Sequence, residues 1–136
     1  MSDGSLLLLG LEGPELKPDE AALFRRLQPA GYILFSRNTI SPEQTRKLTD
    51  DLRDLSVDLP IIGIDNVPGS KQLEPAVLPE SCVLLFGQEG AGMSDEGIAV
   101  CEVLYEINQY GSTRSMNASA AGAIAMYHWA LQHLPR

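Results

Sequence analysis

The sequence predicts a single α/β domain over residues 1–136, three layers thick, with helices on both faces of a mostly parallel, five-stranded, Rossmann-like sheet. Three observations predict it. Short apolar runs bounded by Gly, Pro, Asn and Asp alternate with longer amphipathic stretches, as repeated strand and helix units require. The apolar runs are continuous, as in strands covered on both faces. The chain has 136 residues, enough for one real core and short of the size at which chains usually divide.

The strands are expected at Leu6 to Gly10, Tyr32 to Phe35, Ile61 to Ile64, Val83 to Phe86 and Leu104 to Ile107. A first helix is expected from Pro18 to Leu27. Asp19 and Glu20 suit the positive end of its dipole, and Ala22, Leu23, Phe24 and Leu27 supply a core stripe. A second runs from Pro42 to about Leu55, where Ser41 can cap, Pro42 takes the first helical position and Gln44 completes a capping box. Leu48, Leu52 and Leu55 recur on one face of it, and its charged residues face water.

Asn66 to Glu80 holds three prolines and no period, which predicts a long irregular connection of the kind that is usually functional. A short helix follows from Asp95 to Cys101, capped by Ser94. The last runs from Ser115 to about Leu134, with small residues that permit close backbone approach. Tyr127, Trp129, His133 and Leu134 on it suit either a subunit contact or packing on the sheet, and His128 and His133 are expected to be bystanders to any chemistry.

The composition is ordinary for a globular chain, 44% hydrophobic and 21% charged, and no apolar run approaches the roughly 20 residues that cross a bilayer. Cys82 and Cys101 lie in apolar context without metal-ligand spacing, so no metal site is expected, and free thiols suit a cytoplasmic location. The net charge is −8 and the pI about 4.6. Nucleic-acid affinity comes largely from Lys and Arg on phosphates, so the chain by itself is expected to hold RNA weakly.

Two segments carry chemistry. VLLFGQEGAGMS, Val83 to Ser94, is a strand running into three glycines and a helix cap, where the main chain can turn sharply and expose its amides, with Glu89 available to accept from them. By glycine content alone, a plain tight turn explains it equally well. INQYGSTRSMNAS, Ile107 to Ser119, again joins a strand to a helix through polar residues. Loops at the carboxyl ends of neighbouring strands line one crevice, where ligands usually sit.

Together these segments resemble the C-terminal signatures of SpoU-type (SPOUT, trefoil-knotted) RNA 2′-O-methyltransferases, FGxEGxGxS and IPMxGxxxSLNVSxAA. Phe86, Gly87, Glu89, Gly90, Gly92 and Ser94 match the first, and Ile107, Gly111, Ser115, Asn117, Ser119, Ala120 and Ala121 the second. Met93 and Met116 replace leucines, Ala118 a valine, and Asn108 and Gln109 stand where the family has Pro and Met. The resemblance spans about Pro60 to the C-terminus. It implies S-adenosylmethionine held by Phe86, Gly87, Glu89, Gly90, Gly92, Ile107, Gly111, Ser115, Met116 and Asn117, with Arg114 towards substrate. It also implies a C-terminal trefoil knot, a homodimer through the last helix, and methyl transfer to a ribose 2′-hydroxyl of RNA. The family's catalytic arginine sits in an NxGxxxR motif, and none stands before Asp65. No catalytic residue is assigned, and catalysis is expected to be lost or weak.

The first half, about Ser5 to Asp65, resembles something else. LLLLGLEGPEL, AGYILFSRNTISPEQTRKLTDDLR and LPIIGID are similar to the opening of family 3 β-N-acetylglucosaminidases, which are TIM barrels, with Phe35, Arg37 and Asn38 the most telling residues. The likeness stops near Asp65, where that family has DxEGG and this chain has Asp65, Asn66, Val67, Pro68 and Gly69. No carboxylate pair can be named, so sugar hydrolysis is not expected. The alternative to a cofactor-binding domain is therefore a recombined or engineered hybrid of a TIM-barrel fragment and a SPOUT fragment, without enzymatic activity.

Overall fold

The computed structural model of the chain describes residues 7–55, 59–87, 92–109 and 118–135. The elements run β1 (Leu8–Gly10), α1 (Pro18–Leu27), β2 (Gly31–Leu34), α2 (Pro42–Leu55), β3 (Ile61–Ile64), β4 (Lys71–Gln72), β5 (Cys82–Phe86), α3 (Asp95–Val100), β6 (Val103–Glu106) and α4 (Ala118–His133). Among the described residues every strand pair is parallel, in the order β1-β2-β5-β3-β6-β4. The expected class holds, with one strand more than the five predicted. The addition is β4, two residues inside the supposedly irregular 66–80 connection, which gain a partner only because β6 offers a free edge, pairing Lys71 with Tyr105 and Gln72 with Glu106.

The strands alternate between two cores. Tyr32, Leu34, Ile61, Val83 and Leu85 point to one face with Phe24 of α1 and Leu48, Leu52 and Leu55 of α2. Ile33, Ile62, Ile64, Leu84 and Phe86 point to the other, with Ala125 and Trp129 of α4 and Leu73 and Leu78 of the long connection. The crossovers through α1, α2 and α3 all step the same way along the sheet, so their common hand puts all three helices on one face. The long connection returns beneath α4. Gly122 permits the close approach expected of α4, since a Cβ there would lie 2.9 Å from the Phe35 ring.

Local signals account for the helix ends. Gln44 N–H donates to Ser41 Oγ at 3.2 Å, Ser41 N–H donates to Gln44 Oε1 at 3.5 Å, and Gly97 N–H donates to Ser94 Oγ at 3.1 Å. The α1 stripe differs from expectation: Ala22 and Leu23 are exposed, and Phe24 is buried with Ala21 packed beside it. α1 covers an edge strand of three residues, so only one narrow stripe of it meets the sheet. On α4, Trp129 is 2% exposed and donates from Nε1 to Pro79 O and Glu80 O, both at 3.2 Å. Leu134 packs against the same core, so of the four residues named for a subunit contact Tyr127, 66% exposed, is the one that faces outward freely. His128 and His133 reach Ala76 O and Leu78 O at 2.9 and 2.7 Å and thereby fasten the connection to α4. The path through 88–91 and 110–117, on which a trefoil knot depends, lies outside the described residues.

Candidate cofactor site

The glycine segment leaves the sheet from its middle. β5 lies between β2 and β3, and its last residue, Phe86, is buried with its ring stacked on Phe35 at 5.2 Å between centroids. Gly87 follows directly, and Gly92 has φ +72°, a left-handed backbone that favours glycine. A Cβ on Gly87 would stand 2.7 Å from Met93 N, and one on Gly92 would stand 2.9 Å from Asp65 Oδ2. Two ends of one turn thus close on each other and on a carboxylate.

That carboxylate is a candidate site residue that the sequence did not single out. Asp65 follows β3, and its Oδ2 accepts from Met93 N–H at 2.7 Å while Oδ1 accepts from its own neighbour, Asn66 N–H, at 2.9 Å. Its own N–H donates to Tyr105 O at 2.9 Å, extending the β3–β6 ladder. The two signature loops follow β5 and β6, which were expected to be neighbours. β3 stands between them, and Asp65 at its end touches both flanks. Asp65 is visible in the sequence as a carboxylate closing an apolar strand; nothing there tells which strand lies beside β3.

On the β2 side the turn faces a cleft of about 200 Å³. Gly87, Gly92, Met93 and Ser94 form one wall, Leu85 and Phe86 the floor, and Thr39 to Pro42 with Thr45 the other wall. The second wall is held by Gln44, whose Oε1 accepts from Ile40 N–H at 2.7 Å and whose Nε2 donates to Asn38 O at 2.8 Å and to Pro14 O. Arg37 and Asn38 stand outside this chemistry. Arg37 lies over the Phe35 ring and donates from Nε to Leu11 O, and buried Asn38 donates to Leu11 O and Gly13 O while accepting from Phe35 N–H. These bonds fix the loop that leaves β1.

Of the residues expected at the cofactor, the structure brings Phe86, Gly87 and Gly92 together, and Ile107 packs at the end of β6 on the α4 side. Glu89, Gly90, Gly111, Ser115, Met116 and Asn117, and Arg114 for substrate, lie outside the described residues. Burial pushes the thiols of Cys82 and Cys101 up to about 12, so both are protonated and inert near neutrality. Among the described residues no three His, Cys, Asp or Glu side chains could share a metal ion, and no helix is long and apolar enough to cross a membrane.

The sequence profile of the SpoU rRNA Methylase family matches residues 30–127, which include this glycine segment. The chain belongs to the SpoU rRNA methylase family. The match begins well upstream of Pro60 and so includes β2 and α2, part of the segment that resembles glycosidases. The SpoU methyltransferase AviRb from Streptomyces viridochromogenes, crystallised with AdoMet, superposes with a TM-score of 0.56 at 20% identity, over 93% of this chain and 60% of that one. The mouse tRNA (guanosine(18)-2′-O)-methyltransferase TARBP1 is 32% identical over 74 residues, 54% of this chain. The β-hexosaminidase of Alkalilimnicola ehrlichii is 42% identical over 66 residues, 48% of this chain. The chain spans 5% of the length of the former relative and 19% of the latter.

Proposed function

We propose that this SpoU-family chain binds S-adenosylmethionine at the carboxyl ends of β5 and β6 and serves methyl transfer to a ribose 2′-hydroxyl of RNA, weakly when it acts alone. The observation that carries the reading is the glycine turn of Gly87 and Gly92 tied to Asp65, a main-chain cradle free of side chains at both ends. Main-chain amides and carbonyls would supply the polar partners that an adenosine edge needs, and the glycines at both ends of the turn fit the cofactor on that ground. Phe86, Gly87, Glu89, Gly90 and Gly92 would hold it from β5, and Ile107, Gly111, Ser115, Met116 and Asn117 from β6, with Arg114 towards RNA. The cofactor supplies an electrophilic methyl group.

Turnover is proposed to be weak for two reasons visible in the chain. No NxGxxxR motif supplies an activating arginine, and a net charge of −8 opposes attraction of RNA phosphates. The outer face of α4 carries Ile124, Tyr127 and Leu131, exposed at helical spacing, and a homodimer through that helix is part of the proposal. Light scattering reports the dimer directly.

The test is a calorimetric titration of the purified chain with S-adenosylmethionine, followed by methyl incorporation into tRNA from labelled cofactor. Micromolar binding with slow incorporation is expected. No heat and no thermal stabilisation at millimolar cofactor would overturn the reading. It would favour instead an inactive hybrid, for which the 42% identity to a β-hexosaminidase over 66 residues speaks.

A further inference from the structure

Asp65 serves no role that the family signatures mention, yet its contacts converge on the proposed cofactor site. Its main-chain N–H is committed to Tyr105 O, two residues before Ile107 opens the β6 loop. Its carboxylate is committed to Met93 N–H, the first amide after the glycine turn. Oδ2 also stands 3.1 Å from the position a Cβ would take on Gly87 and 2.9 Å from that on Gly92, so the carboxylate occupies the space that side chains at both ends of the turn would fill. One residue therefore touches both the end of the β5 turn and the β6 strand, with β3 as the spacer between them.

We propose that Asp65 is a positioning residue, an anionic tie that holds the returning end of the glycine turn against β3 and so fixes the separation of the two loops that would hold S-adenosylmethionine. This deepens the reading given under the proposed function and rests on it for the ligand. The physical reason is preorganisation. The glycines at the two ends of the turn lose much conformational entropy when they are fixed, and a charged acceptor outside the turn lowers that loss before the ligand arrives. A neutral acceptor in the same position forms a weaker bond to Met93 N–H. Asp65→Asn keeps size and shape while removing the charge, and Asp65→Glu keeps the charge on a longer arm.

The experiment uses the full chain and two independent readouts, hydrogen exchange at the Met93 amide by NMR and affinity for S-adenosylmethionine by calorimetry, with thermal midpoints recorded for each variant. In the wild type the Met93 amide is expected to be protected although it lies outside any helix or strand. In Asp65→Asn it should exchange about tenfold to a hundredfold faster, with a similar loss of affinity, as suits loss of a charge-assisted bond. Amides of the central strand β5 should keep their protection, and Asp65→Glu should recover part of both losses. A Met93 amide unprotected in the wild type, needing no variant to fold, overturns the proposal. So does unchanged affinity in Asp65→Asn beside wild-type protein that binds. Wild type that shows the protected amide but binds no cofactor refutes the proposed function and leaves the tie standing, so the two failures are distinguishable.

Discussion

Replacing Gly92 by alanine loads the turn at its most constrained point. Gly92 has φ +72°, where an L side chain costs about 1–2 kcal/mol. The new Cβ would also stand 2.9 Å from Asp65 Oδ2, closer than carbon and oxygen normally approach, so the carboxylate must yield by a few tenths of an ångström. If it yields without releasing Met93 N–H, the cost stays at about 1–2 kcal/mol. If the bond breaks, a further roughly 1.5–3 kcal/mol is lost, the net worth of a hydrogen bond to a charged group, and the sum is about 3–5 kcal/mol. Borne by the whole fold, that sum lowers the melting temperature by roughly 10–17 °C in a chain of this size. Borne by the turn alone, it weakens S-adenosylmethionine binding about a hundredfold or more at 1.4 kcal/mol per factor of ten. Melting curves with and without cofactor separate the two cases. A Gly92→Ala protein that melts within about 1 °C of wild type and binds with unchanged affinity would refute the left-handed turn and the Asp65 contact together.

Other consequences are as direct. Trp129→Ala should lower stability by about 3–5 kcal/mol in urea unfolding, through its cavity and through loss of the donor to Pro79 O and Glu80 O. Because Trp129 is the one tryptophan of the chain, the red shift of its emission reports separation of α4 from the 76–80 connection. Asn38→Asp should cost about 2–4 kcal/mol, since an oxygen would replace the donor that serves Leu11 O and Gly13 O; chemical denaturation measures it, and a change below about 0.5 kcal/mol would contradict the assigned amide orientation. With both thiols raised to about 12, native protein should resist Ellman's reagent near neutral pH and react only near that value or after unfolding. Gly31→Ala should abolish folding as judged by circular dichroism, because its Cβ would fall 1.7 Å from Cys82 O in the β2–β5 pair, a backbone atom that cannot move aside.

The sequence by itself determined the class of fold, most helix and strand positions and the family. Each is written in local patterns: the Leu48, Leu52 and Leu55 stripe, the Ser41 and Gln44 box, and FGxEGxGxS after an apolar run. It also carried the double resemblance, because βα units of both kinds share the same local grammar. Only the tertiary structure decided the order of strands. A barrel fragment would set β2 beside β3, whereas β5 inserts between them, so the first half of the chain is divided, with β1 and β2 on one side of β5 and β3 on the other. The same insertion put Asp65 against the glycine turn, while bonds to the loop after β1 made Arg37 and Asn38 structural and packing on the second core turned Trp129 inward. These are contacts between residues far apart in sequence. Their energies arise from where packed layers bring groups together, and the local periodicity that predicts a strand is blind to which strand lies next to it.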